Sequence, residues 1–231
     1  MMRRRWLQLF LAGICSLPVF AQGGSQDETL RYNVNWPSGL SMGEAVLTAH
    51  RTSSGWDLEM TVDAGIPGLR ITDRFHSVTR PEGCSLSLER DMSFGSRKTK
   101  DETKFDYAKG VAQRTTSGGG GSSEVPIASH CASDALGFVY IVRQALARGG
   151  LPPSPSPVLF GAVYTVALQN KGQQNITVGG QTAAADCVTV SIKGPASNNT
   201  AEIFFARDAA RTPLRARIPT NLGSIALELT R

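Results

Sequence analysis

The run Gly39-Leu40-Ser41-Met42-Gly43 has the spacing of the elbow that presents a nucleophilic serine in α/β-hydrolases. That chemistry needs a strand before the serine, a helix behind it and an oxyanion loop from an earlier strand. Only one strand-like run precedes Ser41, and Glu44 to Ala49 opens no long helical pattern. The segment therefore reads as a hairpin turn. The imidazoles, His50, His76 and His130, have no spacing that would place two on one helix face, and only Cys131 adjoins one of them. A zinc site takes three or four converging ligands, so all three read as surface or loop residues. The glycines from Gly118 to Gly121 lack the Lys and Ser/Thr that follow in a phosphate loop, and read as a mobile connection. Nowhere do a nucleophile, a base and an orienting group come together. The expectation is a protein that is not an enzyme, with no metal and no cofactor.

Two further groups of polar residues invite attention. Asp73 falls in the inward register between Ile71 and Phe75, with Arg70, Thr72 and Arg74 on the other face. A buried carboxylate is costly without a partner, so an ion pair between Asp73 and Arg143 is expected. From Lys98 to Lys104, lysines mix with Asp101 and Glu102 around Thr99 and Thr103, a solvated strand face that discourages edge pairing. The Asn175-Ile176-Thr177 and Asn198-Asn199-Thr200 triplets read as turns.

The elements that must hold these residues follow from the hydrophobic period. Leu30, Tyr32, Val34 and Trp36 alternate with Arg31, Asn33 and Asn35, and Trp56, Leu58, Met60 and Val62 alternate with Asp57, Glu59 and Thr61. The same period of two runs through residues 158–168, 214–218 and 225–229, with weaker runs at 41–50, 69–79, 84–94, 97–107, 173–178, 186–193 and 200–206. This gives a mainly β chain, a curved antiparallel sheet or open half barrel of about eleven or twelve strands. One central helix interrupts it. Ser133 is placed to cap a helix whose Leu136, Val139, Tyr140, Val142 and Leu146 form an apolar stripe, ended by Gly149-Gly150 and Pro152-Pro153. A helix this apolar needs a sheet closing around or over it.

Met1 to Ala21 has a basic start, an apolar run to Phe20 and a small final residue, the pattern of a secretory signal peptide cleaved near Ala21. The rest, 22–231, reads as a single β-rich exported domain. Removing Arg3, Arg4 and Arg5 takes the 24 Lys+Arg to 21 against 19 Asp+Glu, which argues against nucleic acid as a partner. No later stretch is long enough to span a bilayer. Export exposes Cys84, Cys131 and Cys187 to oxidising conditions, permitting one bridge and one leftover. Cys84 shares an apolar strand face with Leu86 and Leu88, Cys131 lies just before the helix, and Cys187 alternates with Thr189 and Ser191. The expected bridge is Cys84–Cys131.

Three short motifs in order carry a resemblance. Tyr32-x-Val34-x-Trp36 with Gly43, then Asp134-Ala135-Leu136 with Tyr140 and Arg143, then Ala206-Arg207-Asp208 with Thr212-Pro213-Leu214 and Gly223-Ser224-Ile225 resemble the exported bacterial family labelled domain of unknown function 3108. The likeness covers nearly all of the chain after the leader, apart from the four-glycine loop. It implies a periplasmic β-rich protein without assigned chemistry. At the level of fold it is also similar to the half-barrel of periplasmic lipoprotein carriers, in which a curved sheet encloses acyl chains.

The expected function is a periplasmic, non-catalytic binding module. Its candidate ligand-binding residues are Tyr32, Trp36, Trp56, Phe75, Tyr140, Phe160 and Tyr164, which would offer an apolar surface to a lipid or another apolar small molecule. The alternative is a cell-envelope scaffold in which the same side chains fill the core and a protein partner meets the edges and loops.

Overall fold

The computed structural model describes residues 27–230 apart from 67, 119, 128, 129, 196, 197, 221 and 222. The expected signal peptide lies outside the described residues. Eight strands run as an antiparallel meander: β1 (Glu28–Asn35), β2 (Ser41–Thr52), β3 (Gly55–Ile66), β4 (Leu69–Thr79), β5 (Ser85–Phe94), β6 (Arg97–Asp106), β7 (Val111–Thr116) and β8 (Ser122–Pro126). After the two-residue β9 (Ser133–Asp134), helix α1 (Ala135–Ala147) and β10 (Ser156–Leu159), a second meander follows. It comprises β11 (Val163–Val178), β12 (Gln181–Lys193), β13 (Asn198–Ala206), β14 (Pro213–Thr220) and β15 (Gly223–Leu229). β15 pairs with β1, so the two meanders join into one 15-stranded sheet with β8 and β9 at its edges. Among the described residues only β9 and β10 pair in parallel.

The sheet is curved but not closed by a hydrogen-bonded ladder. Six residues, 127–132, link edge strand β8 to edge strand β9, and that length of chain spans at most about 25 Å. The two edges come within side-chain reach of one another. Leu159 of β10 packs with Phe105, Ala112 and Ile127 from the opposite edge, and the Arg114 guanidinium on β7 donates to the Gly161 carbonyl at 2.8 Å.

Twelve of the fifteen strands match the alternating runs read from the sequence. The three that do not are β7, β8 and β9, which are short, polar or both. The expected run 158–168 is broken at Gly161, where a turn separates β10 from β11. β11 then continues to Val178 with a bulge between Asn170 and Gln173. β6 is not an edge strand. It lies between β5 and β7, and its lysines simply line the outer face.

α1 lies across one end of the sheet and packs into it. Phe138, Val142 and Leu146 pack with Val158, Val166, Val188 and Phe205, while Leu136 and Tyr140 pack with Ala49, Trp56, Leu58 and Phe75. Its cap is Asp134, not Ser133, because Ser133 pairs with Val158 in the sheet. At the other terminus Gly149, at φ 87°, donates its amide to Leu146, and the Gly150 amide reaches the Ala145 carbonyl, the pairing that ends a helix with glycine. A smaller second core lies on the opposite face of the sheet. There Ile176 and Val178, near the tip of the β11–β12 hairpin, pack with Cys187, Phe204 and Leu214. Cys187 and Val188 are consecutive in a strand and point to opposite faces, which is why one joins this cluster and the other the helix.

The alternation of hairpin turns gives the sheet two distinct ends. The helix end holds the β2–β3, β4–β5, β6–β7, β11–β12 and β13–β14 turns. The tip end holds the β1–β2, β3–β4, β5–β6, β7–β8, β12–β13 and β14–β15 turns.

Candidate functional site

Where α1 meets the sheet its fit is incomplete. A cavity of about 110 Å³ remains between the helix and the strands on either side of the β1–β15 pairing. The helix contributes Leu136, Val139, Tyr140 and Arg143, spaced by three and four residues and so on one face. The sheet contributes Tyr32 from β1, Leu47 and Ala49 from β2, Leu58 and Met60 from β3, Ile203 from β13, Pro213 and Ala216 from β14, and Leu227 from β15. Each is the inward residue of its strand. Arg143 is the only charged lining group among the described residues.

Arg143 does not meet Asp73. Its guanidinium makes a bidentate pair with Glu28 at 2.7 and 2.9 Å and donates to the Ala210 carbonyl at 3.0 Å, all at the helix end. Asp73 sits far along β4 toward the tip end, opposite Val62 and Met92, and accepts only the Ser93 amide, at 3.2 Å. The expected Asp73–Arg143 pair is thus corrected. Inward register was the right reading for Asp73, but register does not set height along the sheet. Its partial burial lifts its carboxyl above the usual range.

The seven expected ligand-binding aromatics do not line one cavity, although Trp56, Phe75, Tyr140 and Phe160 share one packed cluster. Tyr32 and Tyr140 line the cavity. The Tyr32 hydroxyl donates to the Pro213 carbonyl at 3.0 Å, and burial holds the phenol well above its ordinary pKa. Trp56 packs against Tyr140 with ring centroids 4.7 Å apart, and Phe75 against Phe160 at 5.1 Å, as filled core. Tyr164 covers Gly194 and leans on the helix-side cluster. Trp36 packs at the edge of the cluster formed by Tyr32, Val34 and Met42 and borders a groove of about 430 Å³ at the tip end with Asn35, Pro37, Arg217 and Glu228.

Two buried polar clusters hold these walls in place. The Asp134 carboxylate is fully buried. One oxygen accepts the Leu136 and Gly137 amides at 2.8 and 3.0 Å; the other accepts the Ser77 and Ser85 hydroxyls at 2.5 and 2.6 Å. Burial pushes this carboxyl above its usual range, against the pull of those four donors. Beside it the expected Cys84–Cys131 disulfide is formed, and the Tyr107 hydroxyl donates to the Ser85 carbonyl at 2.7 Å. The second cluster lies at the gap between the sheet edges. Arg90 is paired bidentately with the fully buried Asp101 at 2.9 and 2.6 Å and stacks over Phe160 at 4.9 Å, while Arg114 reaches the same carboxylate at 3.3 Å. Sequence reasoning missed both, although Leu88, Arg90 and Met92 share one strand face by the same alternation that singled out Asp73.

The remaining chemical candidates are dispersed. Ser41 opens β2 on the β1–β2 turn, with a strand and not a helix behind it. His50 lies 3.2 Å from Asp27, His76 lies 2.9 Å from Asp57 and His130 is exposed. Among the described residues no three His, Cys, Asp or Glu side chains converge as metal ligands. Cys187 is a buried free thiol whose pKa is raised by burial. No helix among the described residues is long and apolar enough to cross a membrane.

Compared with known proteins, residues 31–230 match the model of a family described as a protein of unknown function, DUF3108. No curated protein matches. Among solved structures the chain is similar to the crystal structure of a beta-barrel-like protein of domain of unknown function DUF1849 from Brucella abortus. The TM-score is 0.60 at 8% sequence identity, covering 88% of this chain and 95% of that one. At that identity the likeness is one of fold.

Proposed function

The chain belongs to the DUF3108 family, and from the apolar cavity beneath its helix we propose that it is an exported, non-catalytic binding module that holds a small apolar ligand between α1 and the sheet. The observation that carries this reading is a space of about 110 Å³ whose walls are aliphatic and aromatic side chains from six strands and one helix face. Its size sets the ligand. An apolar cavity of about 150 Å³ stays dry and admits a benzene ring, whereas pockets for drug-sized ligands run from about 300 Å³. The occupant is accordingly a single ring or a short hydrocarbon segment, and a full acyl chain enters only if the helix lifts. The Cys84–Cys131 disulfide supports an oxidising compartment.

The test is native mass spectrometry of the protein from its own host, followed by titration of the emptied protein with benzene and hexanoate monitored by NMR. Shifts in the methyl groups of Leu47, Ile203 and Leu227 are expected, and Ala49→Phe, which fills the space, should abolish them. Absence of any copurifying mass, together with unmoved methyl signals, rejects the cavity as a site. The second reading is then favoured by the packed state of Trp56, Phe75, Phe160 and Tyr164: an envelope scaffold whose partner is a protein.

A further inference from the structure

Four large apolar side chains stand exposed among the described residues: Leu40 at 63%, Phe94 at 55%, Ile218 at 42% and Ile66 at 36%. They belong to four different hairpins, yet all lie at the tip end. Leu40 is in the β1–β2 turn, Ile66 ends β3, Phe94 ends β5 and Ile218 lies near the end of β14. The helix end carries none. The tips are neighbours through the register, since Ile71 pairs with both Ala64 and Phe94, and the Gly95 amide donates to the Arg70 carbonyl, tying the β3–β4 and β5–β6 turns together.

Cations accompany them. Arg97, Lys98 and Lys193 lie at this end, are exposed, and have no carboxylate within 4 Å among the described residues. Arg70 is balanced by Asp63, and Lys100 lies 3.9 Å from Asp91. Apolar side chains spread singly over four turns, with unbalanced cations flanking them on either side, suit a soft anionic surface better than the continuous apolar core of a protein interface.

We propose that the tip end docks onto an anionic lipid bilayer, with Leu40, Ile66, Phe94 and Ile218 entering the headgroup layer while Arg97, Lys98 and Lys193 meet lipid phosphates. Buried apolar area and attraction to anionic headgroups add in such binding, so both contributions are separately testable. The docking does not depend on occupancy of the cavity under the helix.

Flotation with vesicles of phosphatidylglycerol and phosphatidylcholine tests it, using wild type and variants that share one N-terminus so that any leader contributes equally. Wild type should float with these vesicles and far less with phosphatidylcholine alone. The double variant Leu40→Ser/Phe94→Ser should lower the partition coefficient by at least about tenfold, and Arg97→Gln/Lys98→Gln by about tenfold in low salt. Lys109→Gln, at the helix end, should change nothing, and thermal melting of every variant should match wild type. The proposal is overturned if wild type stays unbound, or if the tip variants float as wild type does. Concentration-dependent self-association abolished by the same tip substitutions would assign the surface to a second copy of the chain instead.

Discussion

The two ends of the curved sheet are made from the same kind of hairpin turn and carry opposite inventories. At the helix end a disulfide, a fully buried carboxylate with four donors, a tyrosine clamp and the Arg143–Glu28 pair converge on one helix. At the tip end four large apolar side chains and several unbalanced cations face water. The difference shows that the fold is locked from one side. An antiparallel meander of this length leaves each turn free to vary, but a helix crossing one mouth forces the turns beneath it to satisfy its backbone and cover its sides. The other mouth carries no such obligation, and side chains that contribute no core there remain available for contact.

The sharpest way to break this contrast is Asp134→Ala. It strips the helix of its cap and leaves two buried hydroxyls and two amides without an acceptor, at about 1 to 3 kcal/mol each where no water reaches them. A total loss of about 5 kcal/mol is expected in urea denaturation, enough to unfold the helix end. Asp134→Asn should recover most of it, because asparagine also caps helices and its amide can donate to a serine oxygen. Equal losses for the two variants would show that charge, rather than the cap geometry, holds the joint.

Removing the disulfide by Cys84→Ser/Cys131→Ser comes next. The bridge spans 47 residues, for which the chain-entropy relation gives about 4 kcal/mol, an upper figure since it acts through the unfolded chain and any order retained there subtracts from it; in the native state the Asp134 cap and the Tyr107 hydroxyl hold the same segment. The helix should remain docked after reduction. Loss of the far-ultraviolet helix signal on adding a reductant would place the main lock in the bridge and not in the cap.

A smaller effect concerns pH and follows from the raised Asp134 pKa. Its folded value lies above the ordinary aspartate value of 3.8, so the native state holds the proton longer than the unfolded chain. The stability this group contributes is therefore full below about pH 4 and declines as pH rises through the folded pKa. Asp134→Asn does not titrate. Wild type should compare best with that variant in acid and lose ground toward neutral pH, by about 1.4 kcal/mol for each unit of pKa elevation. Denaturation curves at a series of pH values from about 4 to about 7 check this, and a difference that grows in favour of wild type with rising pH would reverse the assignment.

Much of this architecture was legible. Period two with turn residues between the runs identified twelve strands, because inward and outward residues must differ when one face packs on a helix. The helix stood out for the same reason, and the cysteine pairing followed from which strand face carried Cys84. The edges were not legible. β8, Ser-Ser-Glu-Val-Pro, is held by backbone pairing to β7 and leaves almost no apolar trace, and β9 is two residues long. The cavity could not be read because it depends on how closely a helix face approaches a sheet, a matter of volumes and not of alternation. Asp73 and Arg143 illustrate the same limit, since each was assigned to the interior on sound grounds but nothing local says at which level of the sheet it stands.

The smallest predicted effect is the other half of the comparison. Leu40→Ser and Phe94→Ser, measured separately, should each change stability by less than about 0.5 kcal/mol and shift melting by no more than about 2 °C, as expected for side chains with little packing to lose. Phe94 is the stricter test, because its strand neighbour Ile71 is half-buried and its turn is hydrogen-bonded to the next. A loss of about 2 kcal/mol there would mean that the ring seals this mouth of the curved sheet, and the tip end would then share in holding the fold together. A negligible loss combined with lost vesicle binding would give the two ends different roles, the first fixing the helix over the cavity and the second meeting the surface from which an apolar ligand comes.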